Sequence, residues 1–172
     1  MKLYFIFLSV FVCLYSAPDD FQTLQMNFLQ TVTNDQNQTL KYSGKVWLKT
    51  PDMARYEYES PQKKSVAISG GEIIMIEYDL EQATKYKRTD LLNIIDSWKS
   101  SEPVTDTKRV AKIDGLTLYI EHNRDAIERI YYIDNFDNFV EIALSDPVKN
   151  KTVDNSFFIP KVPTGFDLIR EE

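Results

Sequence analysis

Cysteine is almost missing from this chain. The single copy, Cys13, lies inside an apolar N-terminal run, and His122 is the one imidazole in 172 residues. A chain so short of both is a poor candidate for a zinc centre, because carboxylates would have to supply nearly every ligand. It also has little to build a nucleophile with: no G-x-S-x-G sequence is present, and His122, between Glu121 and Asn123 at a strand end, reads as an ordinary turn histidine. Glycine and proline are scarce, at 5 and 7, and no Pro/Gly/Ser-rich linker divides the chain. Gly70-Gly71 lacks the surroundings of a phosphate-binding loop and reads as a hairpin turn.

The apolar run at the start is the first positive signal. Lys2, the stretch Leu3 to Leu14, and then Ser16 and Ala17 before Pro18 follow the order of a secretory signal peptide. The run is shorter than the roughly 20 residues that span a bilayer, and nothing like it returns. We therefore expect residues 1–17 to be a signal peptide and residues 18–172 to be a single domain. Cys13 would leave with the leader, so a disulfide could not staple the mature protein and its stability would come from a packed core.

Net charge is −6, from 20 basic and 26 acidic residues. That balance gives no general attraction to nucleic acid or anionic lipid. Lys85, Lys87, Arg88 and Lys99 around Tyr86 form a modest basic patch, which reads as a solvated strand end and not as a nucleic-acid site. Glu57 and Glu59 project side by side from one strand, whereas a glycosidase needs carboxylates that face each other across a sugar.

Aromatic residues, 10 Tyr and 10 Phe among them, favour strands. Phe21, Leu24, Phe28 and Val32, with Leu29 alongside, fall at helical spacing, so an amphipathic helix is expected from Asp20 to Val32 with Asp19 or Asp20 as its cap. The pattern then changes to period two. Tyr42, Gly44, Val46 and Leu48 share one side of a strand with Trp47 on the other; after Pro51-Asp52, Ala54, Tyr56 and Tyr58 alternate against Arg55, Glu57 and Glu59. Further strands are expected at 65–69, 73–78, 82–87, 108–113, 116–121, 127–133 and 139–144. A short helix carries Leu91, Leu92, Ile94, Ile95 and Trp98, and it is so apolar that most of its circumference needs cover. Strands joined by direct turns, with only two helices, describe a large curved antiparallel sheet. The apolar excess in Trp47, Tyr56, Tyr58, Met75 and Trp98 either fills a core or lines a cavity for an apolar ligand.

One ordered set of short motifs goes further. It runs from Phe28-x-Gln30 through Gly44-Lys45-Val46-Trp47-Leu48-Lys49-Thr50-Pro51, Arg55-Tyr56-x-Tyr58 with Pro61, and Ile68-Ser69-Gly70-Gly71 to Tyr78-Asp79-Leu80-Glu81-Gln82-Ala83. Near the end stand Phe157-x-Ile159-Pro160 and Pro163-x-Gly165-Phe166-Asp167. In order and spacing this set resembles the LolA family of periplasmic lipoprotein carriers, while residues 100–150 add little beyond a strand pattern.

The resemblance implies an incomplete, strongly bent antiparallel β-barrel whose helices form a lid over an apolar cavity. It implies a periplasmic chaperone, without cofactor, metal or covalent chemistry, that works as a monomer. The chaperone would accept triacylated lipoproteins from an ATP-driven inner-membrane release complex and pass them to an outer-membrane acceptor. Each methylene taken from water is worth roughly 0.8 kcal/mol, so three acyl chains need a greasy cavity. On this reading Trp47, Tyr56, Tyr58 and Met75 are candidates for the sheet side of the cavity, with Trp47 able to face outward because it alternates against Val46 and Leu48. Phe21, Leu24 and Phe28 on one helix, and Leu91, Leu92, Ile94, Ile95 and Trp98 on the other, are the candidate lid.

The family commonly has an Arg before this Pro, thought to tie the lid shut; here Thr50 stands there and is the candidate latch, or else apolar packing alone holds the lid. Two rival functions are an outer-membrane acceptor, which would need a lipidated cysteine, and a lipoprotein-sensing or interaction module of the envelope.

Overall fold

A computed structural model describes residues 21–87, 94–113, 115–124 and 126–170. The expected leader, Cys13, the caps at Asp19 and Asp20, and the lid candidates Leu91 and Leu92 lie outside the described residues.

The described residues form one sheet of twelve strands. In chain order these are β1 (Thr23–Thr33), β2 (Thr39–Lys49), β3 (Met53–Ser60), β4 (Lys64–Ser69), β5 (Glu72–Glu77), β6 (Gln82–Lys87), β7 (Glu102–Thr105), β8 (Lys108–Ile113), β9 (Leu116–His122), β10 (Ile127–Ile133), β11 (Phe139–Lys149) and β12 (Asp167–Arg170). Their order across the sheet is β12-β6-β5-β4-β3-β2-β1-β11-β10-β9-β8-β7, so β12 and β7 are its edges and it does not close. Every pairing is antiparallel except β12 with β6. One α-helix, α1 (Ile94–Lys99), and 3-10 turns at Tyr78–Leu80 and Asn155–Phe158 complete it. Among the described residues no helix is long and apolar enough to cross a membrane.

The expected first helix is a strand, which is the main correction. Leu24, Met26 and Phe28 are buried and alternate with half-buried Gln25 and Asn27, and the strand pairs along its whole length with β2 and for most of it with β11. Phe21, Leu24 and Phe28 therefore do not belong to a lid helix: Leu24 and Phe28 are floor residues of the sheet, and Phe21 packs on the same core just before it. Edge strands β7 and β12 are additions to the expected set, and β11 continues five residues past the expected end at Leu144. Pro147 lacks an N–H, and it is accommodated because the β1–β11 register shifts between Gln25 and Asn27, at a bulge where Asp146 adopts a positive φ of 52°.

Alternation divides the sheet into two faces. The inner face gathers Leu24, Met26 and Phe28 with Val46, Leu48, Ala54, Ile68 and Ile73 from one arm, and Ala111, Leu118, Ile120, Ile130 and Leu144 from the other, in one apolar cluster. Residues so far apart in strand order meet only if the two arms bend toward each other, and Ile94, Ile95 and Trp98 of α1 lie in the angle between them.

The outer face has a second, smaller core. Ala67, Ile76, Ala83 and Ser65 are buried there with Phe158, whose 3-10 turn packs on β3 and β4.

Candidate functional site

Beside the part of the inner face that α1 fills lies a hollow of about 330 Å³. Tyr56, Tyr58, Val66 and Met75 bound it on one arm, and Leu116, Tyr132 and Ile142 on the other, with Gln30 on the floor and Ile94 of α1 at its side. Lys64, Asp134, Asn135 and Phe136 stand around it as well. Tyr56, Tyr58 and Met75, three of the candidates for the sheet side of a cavity, border this hollow. Ile142, Tyr132 and Leu116 are lining residues that sequence reasoning missed. Their alternation is visible, but which arms approach each other is a matter of bend, and period two carries no information about bend.

Packing sets the aromatic geometry. Phe28 meets Tyr58 edge-on at 5.0 Å and Tyr56 at 6.4 Å, and Tyr42 meets Tyr58 at 6.1 Å. The Tyr58 hydroxyl lies 3.3 Å from Gln30 Oε1, to which it donates. Burial, reinforced by neighbouring Tyr132 and Tyr42, pushes the Tyr58 phenol up to about 12. Tyr132 is raised too, by burial and then by the charge of Asp134. The ammonium of Lys64 sits 4.5 Å from the Tyr58 ring centre.

The β10–β11 hairpin brings a second feature to the rim. Asp134 accepts hydrogen bonds from the backbone N–H groups of Phe136 and Asn138, both at 2.9 Å, and from the Asn138 amide. Lost hydration pushes its pKa up more than any one of these bonds pulls it down, but the bonds together outweigh it and hold the carboxyl below its ordinary value. The turn so fixed presents Phe136 at 85% exposure.

Trp47 is the second correction. It lies on the outer face, paired across the ladder with Arg55 and packed against Phe157 at 5.2 Å, because its strand buries Val46 and Leu48 on the inner side. Arg55 and Glu57 share that outer face with it. Arg55 Nε donates to Glu57 Oε1 at 2.5 Å, Ser65 Oγ donates to the same oxygen at 2.8 Å, and Arg55 Nη1 donates to the Phe157 carbonyl at 2.7 Å. Together with Lys49 Nζ on the Val153 carbonyl at 2.7 Å, they fasten the C-terminal segment to the outside of the sheet.

Thr50 lies at the other end of the inner face. Its hydroxyl is 3.5 and 3.4 Å from the carbonyl oxygens of Phe21 and Gln22, so it is turned toward the chain entering β1. The polar link from this turn to α1 is instead made by Lys99 Nζ, which donates to the Pro51 carbonyl at 3.1 Å. Phe21, Leu24, Leu48, Ile94, Ile95 and Trp98 pack closely there, leaving only about 20 Å³ unfilled.

An unclosed antiparallel sheet with an aromatic and aliphatic inner face, a short helix set into it and a hollow beside that helix is the framework of a binding protein. Comparison with known proteins identifies which kind. Residues 19–94 match the family described as outer membrane lipoprotein carrier protein LolA. The chain is 33% identical over 171 residues to the outer-membrane lipoprotein carrier protein of Campylobacter jejuni, covering 99% of this chain and 100% of that protein. It is 24% identical over 166 residues to the protein of the same description from Helicobacter hepaticus, covering 95% and 92%. Among solved structures, an uncharacterized conserved protein from Thermus thermophilus shares the fold at 13% identity, with a TM-score of 0.56 over 87% of this chain and 91% of that one. The chain belongs to the family of outer-membrane lipoprotein carrier proteins.

Proposed function

We propose that this protein is a periplasmic chaperone that holds the acyl chains of lipoproteins against the inner face of its sheet and carries them to the outer membrane. The observation that carries this reading is the hollow of about 330 Å³ between Tyr56, Met75 and Ile142, bordered by Ile94 of α1. Family membership supports the same reading.

The hollow lies near the lower end of the roughly 300–1,000 Å³ that single small ligands occupy. Three long acyl chains need more room than that. The additional space is the volume now filled by Ile94, Ile95 and Trp98, so α1 serves as the lid and loading displaces it. The apolar face of the departing helix then meets the incoming chains and not water, which keeps the exchange near balance; release follows when an acceptor offers better burial. Binding and release in this form use side-chain packing alone. The donor is an ATP-driven release complex in the inner membrane and the recipient an outer-membrane acceptor.

The test is transfer. The purified protein is incubated with membranes bearing an acylated lipoprotein, its donor complex and ATP, and then with acceptor membranes. A soluble one-to-one complex that later delivers its cargo is the expected result. A complex that never delivers would indicate a sensing module, and no complex beside an active control carrier would reject the reading.

A further inference from the structure

Arg109 is out of place by charge. In β8 it pairs with Ile120 and stands two residues before Ala111, so it belongs to the inner face, beside members of the apolar cluster. What it meets there is the end of α1. Its guanidinium lies 4.7 Å from the centre of the Trp98 ring, Nε donates to Ser101 Oγ at 2.6 Å, and Nη2 donates to the Ser101 carbonyl at 2.5 Å. Ser101 is buried, and its hydroxyl in turn donates to the Trp98 carbonyl at 2.7 Å. One side chain therefore covers the largest apolar residue of the helix and grips the segment just after it through two charge-assisted hydrogen bonds.

Resting on the reading of α1 as the lid, we propose that Arg109 is the latch residue: it holds α1 on the inner face and thereby sets how fast acyl chains enter. Each of its contacts must break before Trp98 can leave. The geometry needs an arginine, since stacking on an indole while donating along two parallel directions requires a planar fork, which a lysine ammonium lacks. The latch is at the C-terminal end of the lid and on the β8 arm, whereas Thr50 lies across the inner face on the β2–β3 turn with its hydroxyl turned toward Phe21 and Gln22. Lys99 makes one exposed bond to the Pro51 carbonyl, whereas Arg109 makes two to the buried Ser101, so the lysine is the weaker tie.

The chain has two tryptophans, so Trp47→Phe leaves Trp98 as the only indole and as a reporter on α1. In that background we would compare Arg109 with Arg109→Gln and Arg109→Lys, reading acrylamide quenching of Trp98 and the association rate of pyrene-labelled hexadecanoic acid. Near-UV circular dichroism would check the fold, and the Lys variant carries the test if the Gln variant does not fold. Losing two charge-assisted bonds is expected to raise probe association by about tenfold and to raise quenching clearly, with Lys intermediate. Unchanged quenching across the three proteins overturns the latch whatever the probe does. Raised quenching with an unchanged rate of probe entry overturns the claim that the latch governs loading. Raised quenching with no probe bound by any of the three supports the latch and counts instead against the acyl-binding reading of the hollow.

Discussion

Phe28 and Tyr58 stand edge to face, 5.0 Å apart with their planes at 73°, on strands separated by β2. They meet across it because the intervening residue, paired with both, is Gly44. A Cβ at Gly44 would fall on the Glu57 carbonyl oxygen and come within 3.0 Å of the Phe28 ring. The backbone at the Ser43/Gly44 register shift leaves nowhere for it to go.

Gly44→Ala is therefore expected to destabilise the protein by about 1–3 kcal/mol, the usual cost of an extra group in a packed interior. Urea denaturation would show this as a lower midpoint. A midpoint equal to wild type would mean that β2 and β3 can part at no cost, against the packing described.

Tyr58 gives the inner face a pH signature. Its folded-state pKa is pushed up to about 12, against about 10 for an unfolded tyrosine. Between these values the folded protein keeps the phenol proton that the unfolded chain releases, so stability falls as pH rises from about 10 to about 12. Below pH 10 the contribution is fully present. Thermal melts across this range should lose stability less steeply in Tyr58→Phe than in wild type, and parallel curves would refute the assignment.

Much of this architecture is legible because alternation is a strong signal wherever one face is buried. The β2–β3 hairpin is readable down to the opposite facing of Val46 and Trp47. The first strand reads as a helix for a reason that lies in the numbers: 24, 28 and 32 are four apart, which suits a helical face and also one side of a strand. Met26 is the discriminating residue, since it is buried between Leu24 and Phe28 as only a strand allows, and β-branched Thr31, Val32 and Thr33 point the same way. Arg109 is invisible as a site residue because its meaning depends on where α1 docks, a long-range fact that no local pattern contains. The outer-face role of Arg55 likewise depends on the distant segment around Phe157.

That outer clamp has its own consequence. Arg55 joins Glu57, and through it Ser65, to the Phe157 carbonyl, and its guanidinium lies 4.5 Å from the Phe157 ring centre. Arg55→Ala leaves a half-buried carboxylate with its cation removed, and a loss of about 2–3 kcal/mol is expected. Hydrogen exchange should speed up at Phe157 and Phe158 before the β9–β10 amides, because the clamp is on the other arm. Uniform acceleration would place the effect on global stability and not on the segment.

The hollow predicts how affinity depends on chain length. If acyl chains lie between Val66, Met75 and Ile142, each added methylene is buried until the space is full, and at about 0.8 kcal/mol per methylene affinity rises about fourfold per carbon. Beyond that length an added carbon either stays in water or must lift α1, so the plot of log affinity against length breaks. Val66 borders the hollow from β4, and Val66→Phe puts a ring into the same space, moving the break to a shorter chain while leaving the initial slope unchanged. Isothermal titration with a series of saturated fatty acids reads both quantities. A shallow line with no break, identical in the two proteins, would place the chains on the outside of the sheet, where Trp47→Ala and not Val66→Phe would then weaken them.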